Sequence, residues 1–170
     1  MKEIYLAGGC FWGMEKVFHV LDGVAETTVG YANGTTENPT YEEVCTDTTG
    51  HRETVKVIYD PERVSLRKIL KAYFICIDPT QQNRQGNDVG SQYQTGIYTT
   101  DAESLAAAEE FAGEEKKKHF RFCTEIMPLK NFWPAEEYHQ NYLEKNPNGY
   151  CHIASEEYEL VRQLNLEDEV

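Results

Sequence analysis

The order of two hydrophobic periodicities constrains the fold of this chain most strongly. Residues 3–7 alternate as a short strand and run into two glycines, after which apolar residues recur at helical spacing over 11–21. A strand rich in threonine and valine is predicted over 25–31. A second unit of the same kind follows, so the chain is predicted to mix helices with a sheet.

The second unit consists of a strand over 53–59, a helix that begins after Ser65 and a strand over 95–100. Further elements are predicted as a helix over 102–119, a strand over 124–129 and a helix over 135–143. Two β-α-β units in this order predict an α+β fold, a ferredoxin-like split βαβ two-layer sandwich. Long functional loops over 32–50 and 78–92 and an irregular C-terminal tail complete the predicted architecture.

A length of 170 residues predicts a single catalytic domain over 1–170, with a core over about 1–143 and a tail over about 144–170. No apolar run approaches the roughly 20 residues of a membrane span. The N-terminal apolar run is also too short for a signal peptide, so a cytoplasmic location is expected.

Charge and cysteine usage exclude several classes of protein. The net charge of −13 argues against nucleic acid and anionic membranes as partners. The five cysteines are odd in number and contain no C-x-x-C pair, which argues against a disulfide framework and a structural zinc site. We expect a monomer without metal or cofactor.

Cys10 is the strongest local candidate for chemistry. It follows Gly8 and Gly9 and precedes the first turn of the predicted helix, where unpaired backbone N–H groups and the helix dipole stabilise an anion. A thiol in this position is expected to have a lowered pKa and to react as a thiolate. From position alone, a buried structural cysteine at a strand–helix junction remains an equal alternative.

A series of segments from residue 6 to about 153 resembles, in order and spacing, the A-type peptide methionine sulfoxide reductases, which act on the S epimer. The segments are Gly8–Gly13, Gly30–Gly34, Asn38–Cys45, Thr49–Glu53, Asn83–Tyr93, Phe132–Gln140 and Asn146–His152. The resemblance implies reduction of methionine sulfoxide, free or in proteins, with thioredoxin or another dithiol as the reductant.

The resemblance also implies roles for single residues. Cys10 would attack the sulfoxide sulfur, and Glu53 would protonate the oxygen. Tyr41 and Tyr93 would hydrogen-bond that oxygen, as an oxyanion hole does. Taken alone, a strand glutamate is more often a solvated charge, and a tyrosine is more often a packing residue.

The remaining implied roles concern the substrate and the return of the enzyme to its reduced state. Phe11 and Trp12 would hold the S-methyl group, and Asp88 would contact the substrate backbone. Cys151 would condense with the sulfenic acid formed on Cys10 and pass the disulfide to a dithiol. Without the resemblance, these residues would be core aromatics, a turn aspartate and a spectator thiol in a loose tail.

The other cysteines, Cys45, Cys76 and Cys123, are interpreted as packed residues, and His51 and His139 are expected to orient loops by hydrogen bonding. Two other functions remain open at this stage. A thiol peroxidase or redox sensor also needs a reactive and a resolving cysteine. A module that binds oxidised methionine without reducing it is the second alternative.

Overall fold

A computed structural model describes residues 1–167 of the chain and contains a six-stranded sheet and a two-stranded hairpin. The strands are β1 (Lys2–Ala7), β2 (Val24–Ala32), β3 (Arg52–Tyr59), β4 (Arg84–Gln85), β5 (Asp88–Val89), β6 (Gly96–Thr99), β7 (Glu125–Pro128) and β8 (Phe132–Pro134). The helices are α1 (Phe11–Val20), α2 (Tyr41–Cys45), α3 (Leu66–Ile75), α4 (Ala102–Lys116), α5 (Tyr142–Lys145) and α6 (Ser155–Leu164). Within residues 1–167, none of the helices has both the length and the apolar character of a membrane span.

The main sheet has the strand order β7-β6-β1-β3-β2-β8. All neighbouring pairs are antiparallel except β6 and β7, which are parallel. The strands β1 and β2, which α1 connects, are separated by β3, and β6 pairs with the other edge of β1. The predicted mixed α+β class is therefore confirmed, with a mostly antiparallel sheet.

Helices cover one face of the sheet and form the main core with it. Alternate strand residues such as Leu6 and Val55 point to this face, as expected from the period of two. They meet Phe11 and Met14 of α1, which are both at most 1% exposed. Helices α3, α4 and α6 complete this layer.

The opposite face is covered by the segment from Met127 to Phe132, which packs on a smaller cluster that includes Tyr5 and Tyr98. Only residues 129–131 connect the two edge strands β7 and β8. A link of this length spans at most about 14 Å, whereas five interstrand spacings in a flat sheet span roughly 24 Å. The sheet must therefore curl toward this face.

The predicted helix over 135–143 is wrong. Residues Phe132–Pro134 pair with β2 as β8, and the N–H of Ala135 continues this contact by donating to the carbonyl oxygen of Val29 at 2.9 Å. A single 3-10 turn and the four-residue helix α5 follow, separated by Asn141 in the left-handed region at φ 53°. Tertiary pairing and this left-handed residue override the local helical pattern.

The predicted irregular C-terminal tail is also wrong, because residues 155–164 form α6. Tyr158, Val161 and Leu164 lie on one face of this helix and are at most 4% exposed, packed against α1 and α3. Burial of a large apolar side chain contributes roughly 1.5–3 kcal/mol to folding. The C-terminal helix is thus part of the same core as the sheet.

The long loops contain short elements that the sequence patterns did not reveal. The first loop contains α2, which begins with a capping box formed by Thr40 and Glu43. The second contains the β4–β5 hairpin and a 3-10 turn over Ser91–Tyr93. Asp47 joins the two loops by accepting hydrogen bonds from the backbone N–H and the hydroxyl of Ser91.

Candidate active site

Cys10 lies at the junction between β1 and α1, as predicted, and is 8% exposed. Gly9 has φ +83°, a conformation that side chains disfavour, so the chain can turn sharply from the strand into the helix. A Cβ atom on Gly8 would approach the side chains of Met14 and Ile77 to 2.3 and 2.8 Å. Close backbone packing therefore places the thiol at the first turn of α1.

Glu53 is the second residue of β3 and is 1% exposed. Its Oε1 atom accepts a hydrogen bond from the backbone N–H of Phe11 at 3.1 Å, and its Oε2 atom has no partner within residues 1–167. Burial raises its pKa to about 8, opposed by the Phe11 N–H and assisted by the negative charge of Asp88. The carboxyl group is thus protonated at neutral pH, directly beside Cys10.

The prediction of a lowered pKa for Cys10 is wrong. Burial raises the pKa of this thiol, and the carboxylate charge of Glu53 raises it further. The nearby backbone N–H of Trp12 lowers it, but by less than the other effects raise it. The helix N-terminus acts on the thiol mainly through this one donor, so the site without substrate holds a neutral thiol beside a neutral acid.

Tyr41 and Tyr93 approach the same region from the two long loops. Burial raises the pKa of both phenols, and the charge of Glu53 contributes to both shifts, so each hydroxyl remains a proton donor at neutral pH. The carboxylate of Glu136 accepts the Tyr41 backbone N–H at 2.9 Å and the Tyr31 hydroxyl at 2.8 Å. Glu136, which sequence reasoning missed, therefore fixes the start of α2.

Aromatic side chains form one wall beside Cys10. The indole N–H of Trp12 donates to Nδ1 of His139 at 3.0 Å, and its ring stacks on Tyr142 at 3.7 Å. Phe11 is 1% exposed, and its ring lies 5.1 Å from that of His139. His139 thus orients Trp12, a contact that could be found only in three dimensions.

His51 performs the loop-orienting role that was expected of it. Its Nδ1 atom accepts the N–H of Gly34 at 3.1 Å, and its Nε2 atom lies 2.7 Å from the carbonyl oxygen of Thr36. Burial lowers its pKa, so the ring is neutral and accepts with one nitrogen while it donates with the other. This contact joins the first long loop to the start of β3.

Asp88 lies in β5, at the other side of the site. Its Oδ2 atom accepts a hydrogen bond from the hydroxyl of Tyr150 at 3.0 Å. Its negative charge raises the pKa of both Cys10 and Glu53. The hairpin and the segment before Cys151 therefore meet at the rim of the site.

Cys151 is half-buried and lies against the first turn of α1. A Cβ atom on Gly13 would be 3.1 Å from its Sγ atom. The next residue, His152, holds this segment in place with an Nε2 contact of 3.0 Å to the carbonyl oxygen of Gly8. The structure thus brings all eight predicted site residues into one region around the start of α1.

The other cysteines differ in exposure. Cys76 is 4% exposed at the end of α3, as expected for a packed residue, and Cys123 is half-buried. The expectation for Cys45 is wrong, because α2 directs Val44 into the core and leaves Cys45 exposed. In residues 1–167, no group of three His, Cys, Asp or Glu side chains is arranged to hold a metal ion.

Comparison with known proteins identifies the family. The family model described as peptide methionine sulfoxide reductase matches residues 2–168. The peptide methionine sulfoxide reductase MsrA of Clostridium acetobutylicum is 56% identical, over 92% of this chain and 97% of that protein.

Solved structures agree with the sequence comparison. The reduced form of Mxr1 from Saccharomyces cerevisiae superposes with a TM-score of 0.84 at 39% identity, over 88% of each chain. Mxr1 in complex with Trx2 matches with a TM-score of 0.60 at 26% identity, over 83% of this chain and 84% of that chain. The chain therefore belongs to the peptide methionine sulfoxide reductase family and is an oxidoreductase that acts on methionine sulfoxide.

Proposed function

We propose that this enzyme reduces the S epimer of methionine sulfoxide, free or in proteins, with Cys10 as nucleophile and Glu53 as general acid. The observation that carries the proposal is the buried carboxyl group of Glu53. One of its oxygens is held by the N–H of Phe11, next to Cys10, and the other has no partner within residues 1–167. Its pKa of about 8 leaves it a proton to give at neutral pH.

The first step transfers the sulfoxide oxygen to the enzyme. As Glu53 protonates that oxygen, the substrate sulfur becomes more electrophilic, and the Cys10 sulfur attacks it while losing its own proton. The hydroxyl oxygen then moves from the substrate sulfur to the Cys10 sulfur as the bond between the two sulfurs breaks. The substrate sulfur gains two electrons and leaves as the thioether of methionine, and Cys10, which loses two electrons, becomes a sulfenic acid. Because protonation activates the substrate, the raised pKa of Cys10 in the empty site is compatible with the reaction.

Two tyrosines and an aromatic wall supply the selectivity in this proposal. The hydroxyls of Tyr41 and Tyr93 hydrogen-bond the sulfoxide oxygen, and Phe11 and Trp12 accommodate the methyl group. A sulfoxide sulfur is pyramidal, so fixing the oxygen, the methyl group and the direction of attack selects one epimer. Asp88, at the rim, contacts the backbone of the substrate.

The second step regenerates the thiol. The Cys151 sulfur attacks the sulfenic sulfur of Cys10, the oxygen leaves as water, and a disulfide forms. A thioredoxin or another dithiol then reduces this disulfide. The complex of Mxr1 with Trx2 supports thioredoxin as the partner.

We also propose a core topology, a domain organisation and a cellular role for the enzyme. The central strand order β6-β1-β3-β2, with helices after β1 and β3, supports a ferredoxin-like split βαβ sandwich as the core. We propose a single catalytic domain over 1–170 that acts as a monomer in the cytoplasm and repairs oxidative damage. Light scattering of the purified chain tests the monomer.

A comparison of three substrates under one set of conditions tests the proposed activity. Methionine S-sulfoxide, methionine R-sulfoxide and hydrogen peroxide are supplied with dithiothreitol as the reductant. The S epimer is expected to turn over at least about one hundred times faster than the R epimer, because a site that hydrogen-bonds one substrate atom can discriminate by roughly 10⁴-fold or more against a ligand that misplaces it. Faster turnover of peroxide would make the enzyme a thiol peroxidase and would overturn the proposal.

A further inference from the structure

We propose that Tyr158 of α6 is a positioning residue for the resolving cysteine. Its hydroxyl group holds the Cys151 thiol against the first turn of α1 and donates a hydrogen bond to the sulfur when the thiol ionises. This inference rests on the proposed function, because it assigns Cys151 to the second step.

The contacts of the Tyr158 hydroxyl support this role. Its oxygen lies 3.0 Å from the Cys151 Sγ atom and 3.0 Å from the carbonyl oxygen of Gly13, to which it donates. The second contact of the thiol, to the carbonyl oxygen of Ile153, is longer at 3.5 Å. One buried hydroxyl thus connects the resolving cysteine to α1, whose N-cap residue is Cys10.

The proton count on these atoms gives the hydroxyl two roles. It has one proton, which it donates to the Gly13 carbonyl oxygen in the resting enzyme. The Cys151 thiol also has one proton, which it can share as donor between the phenolic oxygen at 3.0 Å and the carbonyl oxygen of Ile153 at 3.5 Å. After the thiol ionises, rotation of the hydroxyl group directs the phenolic proton to the sulfur, where a charge-assisted hydrogen bond stabilises the thiolate.

The environment keeps the hydroxyl in place and protonated. Tyr158 is 4% exposed, and the Nζ atom of Lys16 lies 4.7 Å from the centre of its ring. Burial, followed by the contact with Cys151, raises its pKa, so the hydroxyl keeps its proton at neutral pH. The buried side chains of Val161 and Leu164 fix α6 on the core beneath it.

The position of Cys151 limits its distance from the nucleophile. A Cβ position on Gly13 is 3.1 Å from the Cys151 Sγ atom. Cβ positions three residues apart on a helix are roughly 5–6 Å apart, so the sulfur lies within about 9 Å of the Cys10 Cβ atom. The segment around Cys151 therefore needs only a local shift to form the bond.

In the second step, the Cys151 thiolate attacks the sulfenic sulfur of Cys10 and displaces the oxygen. The oxygen leaves as water. One of the two protons of this water is the sulfenic acid proton, and the second balances the proton that the Cys151 thiol loses. Cys10 is reduced from the sulfenic to the disulfide level, and Cys151 is oxidised from thiol to disulfide. Tyr158 accelerates this step by holding the Cys151 sulfur in place and by donating a hydrogen bond to it during the attack.

The test measures both steps in Tyr158→Phe, which keeps the ring and removes only the hydroxyl group. Quenched-flow samples after one equivalent of S-sulfoxide give the rate of methionine formation and, separately, the rate of disulfide formation. Loss of a hydrogen bond to a charged group is expected to slow disulfide formation roughly tenfold or more at pH 7. Methionine formation should stay within about twofold of the wild-type rate, since Tyr158 has no role in the first step.

A pH series separates positioning of the thiolate from a purely structural effect. The disulfide-formation rates of wild type and Tyr158→Phe should converge toward high pH, where the thiol ionises without help. Tyr98→Phe is the matched control, because its buried hydroxyl donates to Glu125 at 2.7 Å on the opposite face of the sheet. It should form the disulfide at the wild-type rate.

Equal disulfide-formation rates for wild type and Tyr158→Phe would overturn this inference. So would a rate lowered by the same factor at every pH, which indicates a structural effect alone. If wild type itself forms no bond between Cys10 and Cys151, the proposed second step fails, and this inference fails with it. The wild-type control therefore distinguishes the two failures.

Discussion

Replacement of Glu53 by glutamine tests the acid at the centre of the mechanism with a minimal change of shape. The amide oxygen of glutamine can still accept the N–H of Phe11, which Glu53 binds at 3.1 Å. The proton that would be transferred to the substrate is lost. With a pKa of about 8, roughly nine in ten wild-type molecules hold that proton at pH 7.

The expected loss of activity follows from this proton. Removal of a positioned general acid slows a proton transfer by typically 10²–10⁴-fold, so we expect Glu53→Gln to form methionine at least about one hundred times more slowly at pH 7. The ratio of wild-type to variant rate should be constant below about pH 7. It should fall about tenfold per pH unit well above the pKa of about 8, as the wild type loses its acid.

The raised pKa of Glu53 also determines the direction in which the stability of the protein changes with pH. Its pKa rises from an ordinary 4.5 to about 8 on folding, so the folded state binds more protons between these values, and wild-type stability falls as the pH rises through this window. From pH 4.5 to 7 the loss is about 3 kcal/mol, at 1.36 kcal/mol per pKa unit. Glu53→Gln lacks this loss, so its free energy of unfolding should rise by about that amount relative to wild type over the same pH range.

Quenched-flow single-turnover assays measure the ratio of the wild-type to the variant rate of methionine formation. Urea unfolding at pH 4.5 and pH 7 measures the difference in stability between the two proteins. Glu15→Gln is the control, because Glu15 is also 1% exposed but accepts its hydrogen bonds from Thr27 and Asn141. It should form methionine within about twofold of the wild-type rate. An unchanged rate in Glu53→Gln, or a rate ratio independent of pH, would refute the assignment of Glu53 as the acid.

Four further substitutions test the other roles. Cys10→Ser should abolish reduction even with dithiothreitol, since the proposal provides no other nucleophile; residual turnover measured by methionine release would contradict this. Cys151→Ser should keep multiple turnovers with dithiothreitol but lose cycling with thioredoxin, and full thioredoxin-driven cycling would show that another thiol resolves the sulfenic acid. Tyr93→Phe and Tyr41→Phe should each slow methionine formation by about tenfold, the order expected for one hydrogen bond to a developing charge. If either variant binds the thioether product more weakly by the same factor, that tyrosine has a packing role instead.

Local patterns predicted the parts of the fold that short-range physics determines. The strand before Gly8, the helix after Cys10 and the helix that Ser65 caps all appear within a residue or two of their predicted bounds. Each combines a clear period with a capping or turn residue. The general mixed class followed from their order.

Long-range pairing determined what local patterns did not predict. Residues 132–134 form a strand only because β2 offers them an edge, and three residues carry no recognisable period. The helix α6 did have a signal, since Tyr158, Val161 and Leu164 recur at helical spacing, but the preceding Asn, Pro and Gly residues suggested a loose tail. An amphipathic pattern is therefore informative even after such a segment.

The site also combines features that local patterns predicted with features that depend on long-range contacts. The junction at Cys10 was visible in the sequence, but the pKa of its thiol depends on burial and on Glu53, which lies 43 residues further along the chain. The local donors at the helix terminus predict a lowered pKa, but burial and Glu53 outweigh them. Glu136 and Tyr158 were missed because their partners, Tyr41 and Cys151, are identified only by three-dimensional contacts.

Mass spectrometry of the enzyme after one equivalent of methionine S-sulfoxide, without any reductant, detects both the product and the disulfide that the two proposed steps form. We expect one equivalent of methionine and a chain lighter by two hydrogens, with peptide mapping that shows a bond between Cys10 and Cys151. Methionine release with Cys10 unmodified, or a disulfide that excludes either residue, would contradict the account.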